Sequence, residues 1–129
     1  MGVPEELQPI VDRLRRENAI ARVRLAELQE GAYHTAVSLA GEMGRQDSSL
    51  KKVILFGSVL PGRVFRADSD IDLAVVGGDL PLLERIVETA RAADTSGGAL
   101  KVDILDLGDA RPGIRERILE EGVVLYDAG

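Results

Sequence analysis

Between Leu7 and Met43 the residues Leu7, Val11, Leu14, Asn18, Ala21, Leu25, Leu28, Ala32, Ala36, Leu39 and Met43 recur at steps of three or four, with Asn18 the one polar member. That spacing places them on one stripe of a helix, or of two helices in succession, with Gly31 as the natural break or bend. After GRQDSSLKK the period changes. Lys52 to Phe56 is a short, nearly unbroken apolar run closed by Gly57, the pattern of a strand covered on both faces. Ser58 opens a turn and a short helix that Pro61-Gly62 limits. Asp70 to Val76 alternates as DIDLAVV and stops at Gly77-Gly78-Asp79; Pro81 then opens a helix whose apolar face is Leu82, Leu83, Ile86, Val87 and Ala90. A loop at Thr95–Gly98 precedes a third strand over Ala99–Leu107. A last helix runs from Asp109 or Arg111-Pro112 to about Glu120, and Val123–Tyr126 closes the chain as a strand.

Strands alternating with helices predict an α/β (α+β) fold with a small mixed sheet and helices packed on it. The division read from the pattern is an N-terminal helical extension over residues 1–48 and a strand-bearing domain over 49–129. A length of 129 residues suits one core, and 45% apolar with 29% charged residues suits a folded, water-soluble chain. With only 3% aromatics the core must come from Leu, Val, Ile and Ala. There are no cysteines, which removes disulfides, thiolate metal sites and cysteine nucleophiles together, and His34 is the single imidazole. Any metal would therefore be held by oxygen. No apolar run approaches the roughly 20 residues that span a bilayer, and MGVPEELQPI is not a secretory leader, so a cytoplasmic location is expected. A net charge of −6 argues against broad nucleic-acid binding; Arg13, Arg15, Arg16, Arg22 and Arg24 alternate with glutamates, as on a solvated helix face.

The chemistry sits in the carboxylates. On a strand Asp70 and Asp72 project from the same face with alpha carbons roughly 6 to 7 Å apart, while Ile71, Leu73 and Val75 face the core. Two like charges this close raise each other's pKa unless a cation lies between them, and a hard divalent ion with oxygen ligands resolves the conflict. Asp103, between apolar neighbours in KVDIL, is placed either at a sheet edge or toward the same site. Gly57-Ser58 at a strand end reads by itself as an ordinary turn, although backbone N–H groups at a glycine turn also suit an anion.

LFGS (Leu55 to Ser58), SDIDLAVV (Ser69 to Val76) and KVDIL (Lys101 to Leu105), in this order, resemble the motifs of the polymerase β-like nucleotidyltransferase superfamily, and within it the minimal nucleotidyltransferases that act as antitoxins of HEPN-domain toxins. The likeness covers roughly residues 50 to 126. It implies that Asp70, Asp72 and Asp103 are the catalytic carboxylates and ligands of two Mg²⁺ ions, with Mn²⁺ as an alternative. It also implies nucleotide binding by Gly57, Ser58 and Ser69. Where relatives commonly carry an arginine soon after the Gly-Ser pair this chain has Pro61, which leaves Arg63 or Arg66 to supply the positive charge.

The resemblance implies an enzyme that moves a nucleoside monophosphate, AMP from ATP in the first instance, onto a hydroxyl of a HEPN-type protein partner. Two alternatives stand beside it: a catalytically impaired module that neutralises its partner by contact, and transfer to a small molecule. Self-association through the N-terminal helix is a further expected contact, with neither membrane nor nucleic acid as partner.

Overall fold

The computed structural model describes residues 2–66, 68–94 and 101–129. After a 3-10 turn at Glu5–Leu7, a single helix α1 runs over Gln8–Gln46. At 39 residues and a rise of 1.5 Å per residue it is about 58 Å long. Pro9 lies in its first turn, where a missing N–H is harmless. Gly31 does not break it: strong helix formers flank the glycine, and its cost of roughly 1 kcal/mol relative to alanine is too small to end a helix.

Strand β1 (Leu50–Phe56) is followed by a 3-10 turn at Gly57–Val59, then β2 (Ile71–Gly77), α2 (Leu80–Ala93), β3 (Val102–Asp106), a 3-10 turn at Leu107–Asp109, α3 (Pro112–Glu121) and β4 (Val123–Asp127). The sheet order is β3-β2-β1-β4. β1 pairs antiparallel with both β2 and β4, whereas β2 and β3, joined through α2, run parallel. The mixed sheet expected from the alternating pattern is present.

Two boundaries differ from the pattern. The ladder between β2 and β3 starts where the Ile71 N–H donates to the Lys101 carbonyl at 2.9 Å, so Asp70 precedes β2. β3 ends at Asp106, whose side chain accepts from Gly108 N–H at 2.9 Å and turns Leu107 into a 3-10 turn. The expected loop Thr95–Gly98 and residues 99–100 of the expected third strand lie outside the described residues.

The two faces of the sheet are covered unequally. Val53, Leu55, Ile71, Leu73 and Val75 pack with Ala32, Ala36, Ala40 and Met43 of α1 and Leu83, Ile86 and Val87 of α2. Each large side chain fully buried here, such as Leu50, Leu55 or Leu73, contributes about 1.5–3 kcal/mol. Alanines let α1 lie close to the sheet, and Gly44 lets it approach β4, since a Cβ there would overlap the Tyr126 ring. The opposite face carries a smaller cluster of Ile54, Ala74, Leu107 and Ile118, covered by α3. Only the C-terminal part of α1 is buried; Leu7, Ile10, Leu14, Ile20, Val23 and Leu28 are exposed.

Candidate active site

The alternation of β2 decides which side of the sheet carries the chemistry. Ile71, Leu73 and Val75 face α1 and α2, so Asp72 shares the other face with Ala74 and Val76. The same alternation puts Asp103 beside Leu105, and Phe56 beside Ile54, on that face. Register then aligns them across three strands: Phe56 pairs with Asp72, and Asp72 pairs with Asp103. α3 covers the far part of this face and leaves the carboxylate end uncovered, which half-buries Asp72 and exposes Asp103 on the edge strand.

Gly57 follows Phe56 with φ +83°, a left-handed conformation that L side chains rarely adopt. A Cβ at this position would also overlap the Asp72 carboxylate. Glycine is thus required by its backbone angle, and it leaves room for the Asp72 carboxylate that lies against it. Ser58, half-buried, is the middle residue of the Gly57–Val59 3-10 turn, which stands where the pattern predicts a short helix.

The electrostatics single out Asp72. Partial burial, then the neighbouring charges of Asp103 and Asp70, push its carboxyl up to about 6 from an ordinary 3.8. The ionised triad is therefore held against its own repulsion, a conflict that a cation removes. Among the described residues no three His, Asp or Glu side chains converge on a common point around an ion. Asp72 and Asp103 share a face, and Asp72 feels the charges of Asp103 and of Asp70 just before the strand, but the three do not close together. An all-oxygen donor set of this charge suits a hard divalent cation.

The remaining expected site residues fall around this core. Ser69 closes the turn before β2: its hydroxyl accepts from Arg66 N–H at 2.8 Å and its own N–H donates to the Arg66 carbonyl at 3.0 Å. Arg63 is ion-paired to Glu121 of α3 at 2.6 Å. The pair stands beside a cleft of about 240 Å³ that runs from Phe56 and Gly57 to Ile114, Arg117 and Ile118. The Arg66 side chain makes no ion pair among the described residues and is exposed. Register unites Asp72, Asp103 and the Gly57 turn; Arg63 is turned to α3 and Ser69 to its own loop. A larger groove, about 700 Å³, lies between α1 and α2 on the other side of the sheet from the carboxylates.

Three contributors carry no signal in the sequence. Arg117 and Ile114 reach the Gly57 cleft only because α3 lies across the sheet. Gln29 of α1 donates from Nε2 to the carbonyls of Ser58, Val59 and Leu60 at 3.3, 3.2 and 3.0 Å.

Among solved structures the fold is similar to a mutant of the toxin–antitoxin MntA–HpeT, 21% identical over 74% of this chain and 73% of that one, with a TM-score of 0.52. It is also similar to a toxin–antitoxin with AMP-PNP, 24% identical over 71% and 73% of the two chains, with a TM-score of 0.53. No curated protein matches the chain. The family model described as polymerase beta, nucleotidyltransferase matches residues 41–128, spanning every strand and each of the three motifs. On that match the chain belongs to the polymerase beta nucleotidyltransferase family.

Proposed function

We propose that the protein transfers a nucleoside monophosphate, AMP from ATP with pyrophosphate as the leaving group, to a hydroxyl group on a protein partner, and that it serves as the antitoxin of a HEPN-type toxin. The observation that carries the reading is the row Phe56, Asp72, Asp103 across three strands, which sets the Gly57 turn against the carboxylates. Likeness in fold to toxin–antitoxin structures, one of them with AMP-PNP, supports the choice of partner and nucleotide.

In this reading Gly57 and Ser58 bind the triphosphate through backbone N–H groups, and the glycine lets an oxygen approach where a side chain would block it. Asp70, Asp72 and Asp103 would hold Mg²⁺, or Mn²⁺, which supplies charge neutralisation at the phosphates. Asp72, with its raised affinity for a proton, is best placed to gain from a cation; Asp103, exposed at the sheet edge, is open to an incoming hydroxyl and takes part in its deprotonation. Arg66 and Ser69 lie in the loop that leads to Asp70, within reach of an incoming nucleotide in this reading, while Arg63 becomes available to phosphate on leaving Glu121. Residues 49–129 carry this chemistry, and the exposed apolar residues of α1 are the surface for a protein contact. Asp103 is exposed and Asp72 only half-buried, an open arrangement that favours a macromolecular acceptor.

The experiment is transfer of label from α-labelled ATP with Mg²⁺ to a co-expressed HEPN-type partner. Transfer by the wild-type protein and its loss in the Asp70→Asn, Asp72→Asn double variant are expected. No transfer from any nucleotide with either metal would overturn the reading. Neutralisation of the partner by the double variant, with binding intact, would replace it with inhibition by contact, the mode that the exposed stretch of α1 favours.

A further inference from the structure

We infer that Gln29, on α1 and outside the three motifs, is a positioning residue for the nucleotide, holding the Gly57–Leu60 turn in the orientation that binds phosphate; the inference rests on the function proposed above. The Gln29 amide nitrogen has two N–H groups and lies 3.0–3.3 Å from three successive carbonyl oxygens, those of Ser58, Val59 and Leu60. One side chain thus turns three peptide units toward α1.

The consequence follows from planar trans peptides, in which the N–H points opposite to the carbonyl it follows. With the Ser58 carbonyl toward α1, the Val59 N–H points away from it. The Leu60 N–H is taken by the Gly57 carbonyl at 3.2 Å. The next residue is Pro61, which has no N–H at all. The 3-10 turn over Gly57–Val59 commits the Val59 N–H to the Phe56 carbonyl, so the donors without a partner inside the turn are those at its start, Gly57 and Ser58, whose direction is set once Gln29 holds the three carbonyls that follow. α1 packs on the face of Ile71, Leu73 and Val75, and the carboxylate of Asp72 is on the opposite one. The departure at Pro61 acquires a role here: it fixes the end of the turn and leaves the Leu60 carbonyl to accept from Gln29 and from Arg63 N–H at 3.2 Å.

The test compares wild type, Gln29→Leu, which keeps the size and removes the donor, and Gln29→Lys, which restores a donor on a longer stem. Three readouts are ATP affinity with Mg²⁺ by calorimetry, amide hydrogen exchange over residues 57–61, and the thermal midpoint. Gln29→Leu is expected to weaken ATP binding about tenfold and to speed exchange in the turn, with the midpoint within a few degrees of wild type; Gln29→Lys regains most of the affinity. Wild-type affinity in Gln29→Leu would overturn the inference alone. So would a loss that Gln29→Lys does not recover, or one that only tracks a lowered midpoint. Absence of ATP binding by the wild-type protein would strike the nucleotidyltransferase reading itself and this role with it.

Discussion

Asp47 and Asp72 are both carboxylates withdrawn from solvent at the ends of secondary-structure elements, and the fold treats them in opposite ways. Asp47, 5% exposed, ends α1 and accepts from the Ser49 hydroxyl at 2.6 Å, from Asp79 N–H at 2.7 Å and from Ser49 N–H at 3.0 Å. These donors, the Ser49 hydroxyl first, hold its carboxyl below the usual range. It ties the corner leading into β1 to the corner leading into α2, and its charge is fully answered by hydrogen bonds from its own chain. Asp72 receives no such donors among the described residues and instead faces Asp103 and Asp70, which, with burial, drive its carboxyl up to about 6. A carboxylate surrounded by donors is a structural joint, whereas one surrounded by other carboxylates stores a repulsion that something from outside must relieve.

The largest expected effect separates the two in activity. If the proposed function holds, Asp72→Asn should lower nucleotidyl transfer by about a thousandfold, since it removes a ligand of the cation that would neutralise the reacting phosphates. Metal-free protein carrying it should melt at or slightly above the wild-type midpoint above pH 6, because one member of a repelling triad is gone. A fall in the midpoint, read by calorimetry, would mean that Asp72 is a joint like Asp47.

Asp47→Ala should do the reverse. The thermal midpoint should drop by about 5 °C or more as Ser49 and Asp79 lose their acceptor. Transfer per folded molecule should stay within a few-fold.

The pH dependence of metal-free stability sharpens the contrast, since the two shifts have opposite sign. For Asp72 the folded value, about 6, lies above the ordinary 3.8, so its contribution is fully present below about pH 4 and is lost as pH rises through 6. For Asp47 the folded value lies below 3.8, so its contribution is present above that pH and lost as pH falls further. Thermal melts in chelator should therefore show Asp72→Asn gaining on wild type between pH 4 and 6, and Asp47→Asn differing least from it at the acid end. Mg²⁺ should erase the first difference and leave the second untouched.

The smallest effect concerns Arg63. Its pair with Glu121 leaves the two side chains 42% and 43% exposed, so Arg63→Ala should change stability by less than about 1 kcal/mol. A raised KM for ATP at unchanged stability would place its charge in the nucleotide site rather than in the scaffold.

Much of this contrast is legible along the chain only on one side. Asp70-Ile-Asp72 before an apolar run, Asp103 inside KVDIL and Gly57 after a buried strand each have a local signature, because strand alternation and glycine's backbone freedom act within a few residues. The helices opening at Pro81 and Pro112 and the succession of strands along the chain were legible for the same reason, whereas their order in the sheet was not. Asp47 had no such signature: in RQDSSL it resembles any polar loop residue, and its donors Ser49 and Asp79 become partners only when two corners meet. Gly31 misled in the other direction, since a glycine that breaks many helices is carried here by strong formers on both sides.

The sequence by itself determined the mixed α/β class, the three motifs and the oxygen-only character of the site, because composition and period-two patterning are local properties. Only the tertiary structure decided that Asp72 is repelled while Asp47 is satisfied, that Arg63 is turned toward Glu121, and that Gln29 reaches a turn 29 to 31 positions away. These depend on strand register and on where a 39-residue helix crosses the sheet, and such distances in space have no counterpart in spacing along the chain.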